Sequence, residues 1–275
     1  MTNTRKMREV KSNLRWPGGK SKMTKILDNF FPEKVTKYLE TFTGGGSVLL
    51  HIIQKYHPEV IYANDIDSCL INYYRGIQSN PQQVINECLE VKDNHNRESF
   101  ASEYRLLDNN IASNFFISNK ASFSGLSKNY SPQAYDKNFT YSCINRISDI
   151  SEVIKDVSFI NSDFALLDNV IDNIEGFFVY LDPPYFGNKD KGLYGDKGEL
   201  HKGFNHLELF DWVNKHSHKN HIMISYDDSP YIRDLYKDYN INSFDFVYSM
   251  TNTGGHLCKR GQEIVITNYK VDING

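Results

Sequence analysis

The sequence predicts an α/β protein with a Rossmann-like, mostly parallel core, interrupted by a largely helical insert. Three observations lead there. A strand-like run, Lys37-Tyr38-Leu39-Glu40-Thr41-Phe42, passes through Thr43-Gly44-Gly45-Gly46 into the helical pattern Ser47 to Tyr56. A second apolar run, Val60-Ile61-Tyr62-Ala63, ends on Asn64-Asp65, an acid about 20 residues past the glycines. After a long lapse in the alternation, Gly176-Phe177-Phe178-Val179-Tyr180 runs into Leu181-Asp182-Pro183-Pro184-Tyr185-Phe186.

Composition bounds the rest. The 275 residues suit one domain with an insertion, or two small domains. A net charge of -3 gives no global attraction to nucleic acid, so any such face must be a local patch. The four cysteines, Cys69, Cys88, Cys143 and Cys258, are scattered and form no CxxC, which argues against zinc or a disulfide framework and fits a reducing cytoplasm. Of the nine histidines only His216 and His218 stand at HxH spacing and none at HxxxH, and no metal is expected. No apolar run is long enough to span a bilayer, and the polar, basic start reads as no signal peptide.

In chain order, Arg5, Lys6, Arg8, Lys11, Arg15, Lys20, Lys22 and Lys25 face one acid, Glu9, before Asp28. They read either as a phosphate-tracking arm or as a solvated terminus. Trp16-Pro17-Gly18-Gly19-Lys20-Ser21 ends like a P-loop, but the earlier glycine of that motif falls on Leu14. It predicts a glycine turn feeding a helix over Met23 to Phe31, stopped by Pro32. Lys20 reads as a partner for a carboxylate or as a surface lysine.

From Ser68 to about Val153 the α/β alternation lapses: helical patterns dominate to about Asn110, then aromatics and amides crowd 114–146. Lys120, Lys128, Lys137 and Arg146 face one acid, Asp136, among Phe115, Phe116, Phe123, Tyr130, Tyr135, Phe139 and Tyr141. That mixture suits nucleic-acid contact by a few polar residues, with most of the aromatics forming a local core. The α/β pattern resumes at Val157-Ser158-Phe159-Ile160, which ends near Asp163-Phe164. A glycine- and lysine-rich stretch from Phe186 to Phe204 reads as a loop at a site mouth. Asn205 caps a helix, His221 to Ser225 is a strand, Ser229 to Tyr239 a helix, and Phe244 to Tyr248 and Glu263 to Asn268 are two closing strands. The stretch Thr251 to Gly261 between them is a polar loop or an exposed hairpin.

Asp182-Pro183-Pro184-Tyr185 would put a carboxylate, a carbonyl and an aromatic ring at the carboxyl end of a strand, where open α/β sheets bind ligands. Two prolines make the corner stiff. Such a set can accept the hydrogens of an exocyclic base amine and stack on the base. Read blandly, it is a strand-to-turn exit.

Four ordered segments resemble one family. Arg15-Trp16-Pro17-Gly18-Gly19-Lys20, Glu40-Thr41-Phe42-Thr43-Gly44-Gly45-Gly46-Ser47, the insert segment Asn114-Phe115-Phe116 through Asn119 to Ser124-Gly125-Leu126, and Asp182-Pro183-Pro184-Tyr185 are together similar to Dam-type DNA adenine-N6 methyltransferases, the α-group enzymes that use S-adenosylmethionine. The resemblance implies a Rossmann-like class I methyltransferase fold. Its seven-stranded sheet is mostly parallel with one antiparallel strand, which the closing strands would supply, and it carries a mainly helical target-recognition insert. It implies a catalytic, cofactor-binding domain over 1–67 and 154–275 and DNA recognition over 68–153.

By the same resemblance, Trp16, Gly18 and Lys20 border the methionine end of S-adenosylmethionine. Phe42, Gly44 and Gly46 shape the pocket, and Asp65 holds the ribose. Asp163 meets the cofactor's adenine amino group, and Phe164 packs on that ring. Asp182, Pro183, Pro184 and Tyr185 handle the target base, with Asp182 also at the cofactor. Asn119, Lys120, Ser124, Lys128, Asn129 and Arg146 are the candidate DNA contacts. Thr43-Gly44-Gly45-Gly46 is more glycine-rich than many members, which predicts a looser turn.

The implied reaction is direct transfer of a methyl group to N6 of an adenine flipped out of double-stranded DNA. It needs no metal and no membrane, and a cognate restriction endonuclease acting independently fits beside it. The nearest rival is cytosine-N4 methylation. Carbon-5 cytosine methylation is disfavoured, since none of the cysteines follows a proline. A protein or RNA methyltransferase leaves the insert without a role. A dinucleotide-dependent oxidoreductase gives Asp-Pro-Pro-Tyr no role, and a catalytically silent DNA-binding protein leaves that tetrapeptide unexplained.

Overall fold

The computed structural model describes residues 9–172, 175–186, 204–247 and 260–271. Residues 187–203 of the loop expected over Phe186 to Phe204, most of that over Thr251 to Gly261, and Arg5, Lys6 and Arg8 lie outside the described residues.

The elements follow in order: β1 (Lys37–Glu40), α1 (Ser47–Tyr56), β2 (Val60–Asp65), α2 (Ser68–Ser79), α3 (Pro81–Asn94), α4 (Ala112–Ala121), α5 (Pro132–Asn138), α6 (Tyr141–Val153), β3 (Ser158–Asn161), β4 (Phe178–Leu181), α7 (His206–His216), β5 (His221–Asp227), α8 (Pro230–Leu235), β6 (Asn240–Val247) and β7 (Arg260–Thr267). Short helical turns link several of them. The strands form one sheet in the order β3-β2-β1-β4-β5-β7-β6. The pairs β1–β2, β1–β4, β2–β3 and β4–β5 are parallel, and β7 runs antiparallel to both β5 and β6. This is the mixed α/β architecture expected, with β7 as the antiparallel strand.

The two-residue period of the strands divides the core. Tyr38, Phe178, Tyr180, Met223 and Val265 face one side, against Leu49, Ile52, Leu70 and Tyr74 of α1 and α2. Leu39, Val179, Leu181, Ile222, Ile224, Ile264 and Ile266 face the other, against Leu209, Trp212 and Val213 of α7 and Ile232 of α8. Strand β4 is buried on both faces, which is why it reads as an uninterrupted apolar run.

Helix starts carry local signals. Asn80, Ser131 and Ser229 cap α3, α5 and α8, each with proline at the next position, and Asn205 caps α7. The helix expected over Met23 to Phe31 is instead three short pieces, Lys20–Lys22, Thr24–Leu27 and Asp28–Phe30. The chain tightens into i→i+3 bonds while Met23, Leu27, Phe30 and Phe31 remain buried. The helix expected over Ser229 to Tyr239 ends at Leu235, and β6 starts before Phe244 because it pairs along the whole length of β7.

Helix α2 belongs to the sheet by its packing. Tyr74 stacks on Phe159 of β3 at 5.1 Å, Arg75 donates to the Phe159 carbonyl at 2.7 Å, and Gln78 donates to the Val157 carbonyl at 2.8 Å. A division at residue 68 therefore runs in front of a helix that serves both the sheet and the insert. In the insert, Phe115, Phe116, Tyr135 and Phe139 are core, as expected for most of its aromatics.

Candidate active site

A cavity of about 750 Å³ opens at the carboxyl ends of β1, β2 and β4. Chain crossings leave a crevice there, because the strands that follow β1 run to opposite sides of it. The glycine turn forms one wall. Gly44 and Gly46 have φ of +46° and +69°, a region costly for other residues. A Cβ on Gly44 would lie 2.6 Å from the Trp16 indole nitrogen, and one on Gly46 would lie 2.6 Å from the Tyr74 hydroxyl.

The turn is not loose, as the extra glycine suggested. Gly46 N donates to the Thr43 carbonyl at 2.9 Å, Thr43 N donates to the Asn64 carbonyl at 2.9 Å, and the Tyr74 hydroxyl donates to the Gly44 carbonyl at 2.9 Å. The glycines serve close approach rather than slack. Phe42 and Phe164 continue the wall, with ring centroids 5.8 Å apart.

Asp65 accepts from Gly44 N at 2.8 Å and from Asp67 N at 3.0 Å. Burial still pushes its carboxyl up to about 6. Asp163 is exposed at the rim, with one oxygen accepting from Ala165 N at 3.0 Å. Glu40, buried beneath the cavity, accepts from the Tyr38 hydroxyl at 2.7 Å, and burial raises its carboxyl well above the usual range.

Asp182 is held by two side chains. Lys20 Nζ donates to its two oxygens at 2.6 and 2.7 Å and to the Gly18 carbonyl at 3.2 Å. The Ser225 hydroxyl donates to Asp182 Oδ1 at 2.9 Å, and Ser225 in turn lies 2.9 Å from the Tyr180 hydroxyl. Lys20 is 4% exposed, so of its two readings the carboxylate partner is the one the fold adopts. Its ammonium also sits 4.9 Å from the centroid of the Tyr185 ring. The Tyr185 hydroxyl donates to Glu263 Oε2 at 2.9 Å. Thus Trp16, Gly18, Lys20, Phe42, Gly44, Gly46, Asp65, Asp163, Phe164, Asp182, Pro183, Pro184 and Tyr185 all line one cavity.

The DNA candidates divide. Ser124, Lys128, Asn129 and Arg146 are exposed, and Lys128 borders the cavity. Asn119 and Lys120, expected at the DNA surface, are buried instead. The Asn119 amide accepts from Arg15 N at 2.9 Å and donates to the carbonyls of Arg15 and Gly125, each at 2.8 Å. Lys120 Nζ donates to the Asn13 carbonyl, and burial lowers its ammonium to about 8. Both residues fasten the N-terminal segment to the insert and leave no atom for DNA. Helix α4 is buried on every side, so its polar residues point inward.

Three contributors escaped the sequence reading: Ser225, Glu263 and the 70% exposure of Phe123. Only Glu263 left a trace, an acid heading the apolar run Ile264-Val265-Ile266.

Residues 16–250 match the family described as D12 class N6 adenine-specific DNA methyltransferase. The chain belongs to this family. It is therefore an adenine-specific DNA methyltransferase, and the cytosine-N4 and catalytically silent readings are not favoured. The methyltransferase is 28% identical to the type II methyltransferase M1.LlaDCHI of Lactococcus lactis subsp. cremoris, over 96% of this chain and 98% of that protein. It is 25% identical to the type II methyltransferase M.MjaIII of Methanocaldococcus jannaschii, over 95% of this chain and 100% of that one. A methyltransferase crystal structure from Pyrococcus furiosus aligns with it at a TM-score of 0.40 and 12% identity, covering 92% of this chain and 85% of that one. Among the described residues no cluster of His, Cys, Asp or Glu could hold a metal ion, and no helix is long and apolar enough to cross a membrane.

Proposed function

We propose that this methyltransferase moves the methyl group of S-adenosylmethionine to N6 of an adenine rotated out of double-stranded DNA. The observation that carries the proposal is the shared cavity. The Asp182 carboxylate and Tyr185 ring stand beside a cradle of Trp16, Gly44 and Gly46. The cradle suits the cofactor: Gly44 lets the Trp16 indole pack directly on the turn as a flat wall of the cavity, and Asp65 supplies an acceptor for hydroxyls. When bound, S-adenosylmethionine supplies a methyl group activated by its sulfonium.

The protein's own part is to bind, orient and polarise. Carboxylate oxygens offer about two acceptor positions each. Oδ1 of Asp182 is filled by Lys20 and Ser225, whereas among the described residues Oδ2 takes Lys20 alone. The remaining position on Oδ2 can accept one N6 hydrogen, and the Pro183 carbonyl the other. The nitrogen is then drawn from flat toward tetrahedral and becomes nucleophilic. Tyr185 stacks on the base. The gain comes from positioning and preorganised electrostatics.

In the same reading residues 68–153 carry target recognition, through Ser124, Lys128, Asn129 and Arg146, with exposed Phe123 added as a stacking surface. A cognate endonuclease acting independently on the same site accords with the type II names of its relatives, and a cytoplasmic setting goes with a DNA substrate.

The test is methyl transfer to unmethylated DNA, with the product digested to nucleosides and weighed. N6-methyladenine is expected. Asp182→Ala should lower the rate by at least about 100-fold while cofactor affinity persists. Full activity of that variant would overturn the assignment of Asp182.

A further inference from the structure

A buried carboxylate stands behind Tyr185. Glu263 is 1% exposed and is not part of the cavity wall. Burying an acid is costly unless it is well bonded. Strand β7 holds Glu263 in place, opposite Asp227 of β5 and Phe244 of β6. Its Oε2 receives the Tyr185 hydroxyl at 2.9 Å. The ring is therefore fixed at two ends, by the Pro183-Pro184 corner and by its hydroxyl.

The bond also acts on the ring's electrons. A phenol whose O–H points at a carboxylate pushes density into its ring and makes the face more negative. The faces of aromatic rings attract positive charge, and Lys20 already sits over this one. As the methyl group leaves a sulfonium for the adenine amine, positive charge moves onto the stacked base. A more negative face thus favours the transition state over the ground state.

We propose that Glu263 is a positioning residue for methyl transfer, orienting and polarising Tyr185 through its hydroxyl. It touches neither substrate nor cofactor. The inference rests on the reading of Tyr185 as the platform for the target adenine.

The experiment is a double-mutant cycle of Glu263→Gln and Tyr185→Phe, with single-turnover rate, KM for DNA and cofactor affinity measured on each protein. Each single variant should lower the methyl-transfer rate roughly 3- to 10-fold. KM for DNA and cofactor affinity should stay near wild type. The double variant should be no slower than the slower single one, since Glu263→Gln takes the charge from the same hydroxyl–carboxylate bond that Tyr185→Phe removes. Losses that multiply in the double variant would overturn the inference. So would a Glu263→Gln protein that loses thermal stability but keeps its rate. Should Glu263→Gln fail to fold, Tyr185→Phe removes the bond from the other side, and a wild-type rate there overturns the inference alone. Failure of the wild-type protein to make N6-methyladenine would instead strike at the proposed function.

Discussion

Asp65 sits between two demands. Two backbone N–H groups favour its charged form, yet burial outweighs them and lifts it to about 6. The ionised carboxylate accepts the hydroxyls of a ribose more strongly than the protonated acid does. Cofactor affinity should therefore be full above about pH 6 and fall as the pH drops through that value, by up to about tenfold per unit. Calorimetric titration between pH 5 and 8 reads this directly, and Asp65→Asn should flatten the profile. A flat profile in the unaltered protein would remove Asp65 from the binding site. Gly44 gives a second test at this scale. Gly44→Ala forces a Cβ against the Trp16 indole at a positive φ, so it should lose cofactor affinity by more than about tenfold. Circular dichroism should show the fold kept.

Among the elements, the N-terminal segment that carries Trp16 and Lys20 has little regular structure of its own. It is held by side chains of the insert. Asn119 of α4 bonds to both backbone groups of Arg15 and to Gly125, Arg146 of α6 donates to the Ser12 carbonyl, and Arg15 donates to the Ser122 carbonyl. Asn119→Ala removes three hydrogen bonds and leaves buried partners unmet. It should cost about 2–4 kcal/mol in denaturant unfolding. It should also weaken cofactor binding, since Trp16 is on the segment it releases. Unchanged stability would mean the segment is held elsewhere. Local chemistry made some element boundaries legible: α1 after its glycine turn, and the starts of α7 at Asn205 and of α8 at Ser229, whereas the caps of α3 at Asn80 and α5 at Ser131 went unread. The broken turn at 20–30 was not legible, because its apolar spacing is helical while the ion pair of Lys20 is set by a distant strand.

For the whole molecule, a net charge of -3 means that DNA must be met by a local surface. Affinity should fall steeply with salt, and Lys128→Ala should lower the slope of log K against log salt by about one. Lys120→Met should leave that slope unchanged, because its ammonium is spent inside the protein. Fluorescence anisotropy on one duplex at several salt concentrations separates the two. An equal change in both variants would place Lys120 at the interface despite its burial.

The sequence by itself determined the α/β class, the glycine turn, the acid that ends β2 and the Asp-Pro-Pro-Tyr corner. Each of these rests on neighbours a few residues apart, whose backbone limits are local. It also carried the order of motifs that marks the family. Tertiary structure alone decided which side chains meet across the chain. Lys20 reaches Asp182 over a separation of 162 residues, and Tyr185 reaches Glu263 over 78. It also turned Asn119 and Lys120 inward, because α4 is packed on every side and no periodicity in its residues distinguishes a wet face from a dry one. Burial and long-range pairing depend on the packing of the whole fold, and so they lie beyond what spacing can show.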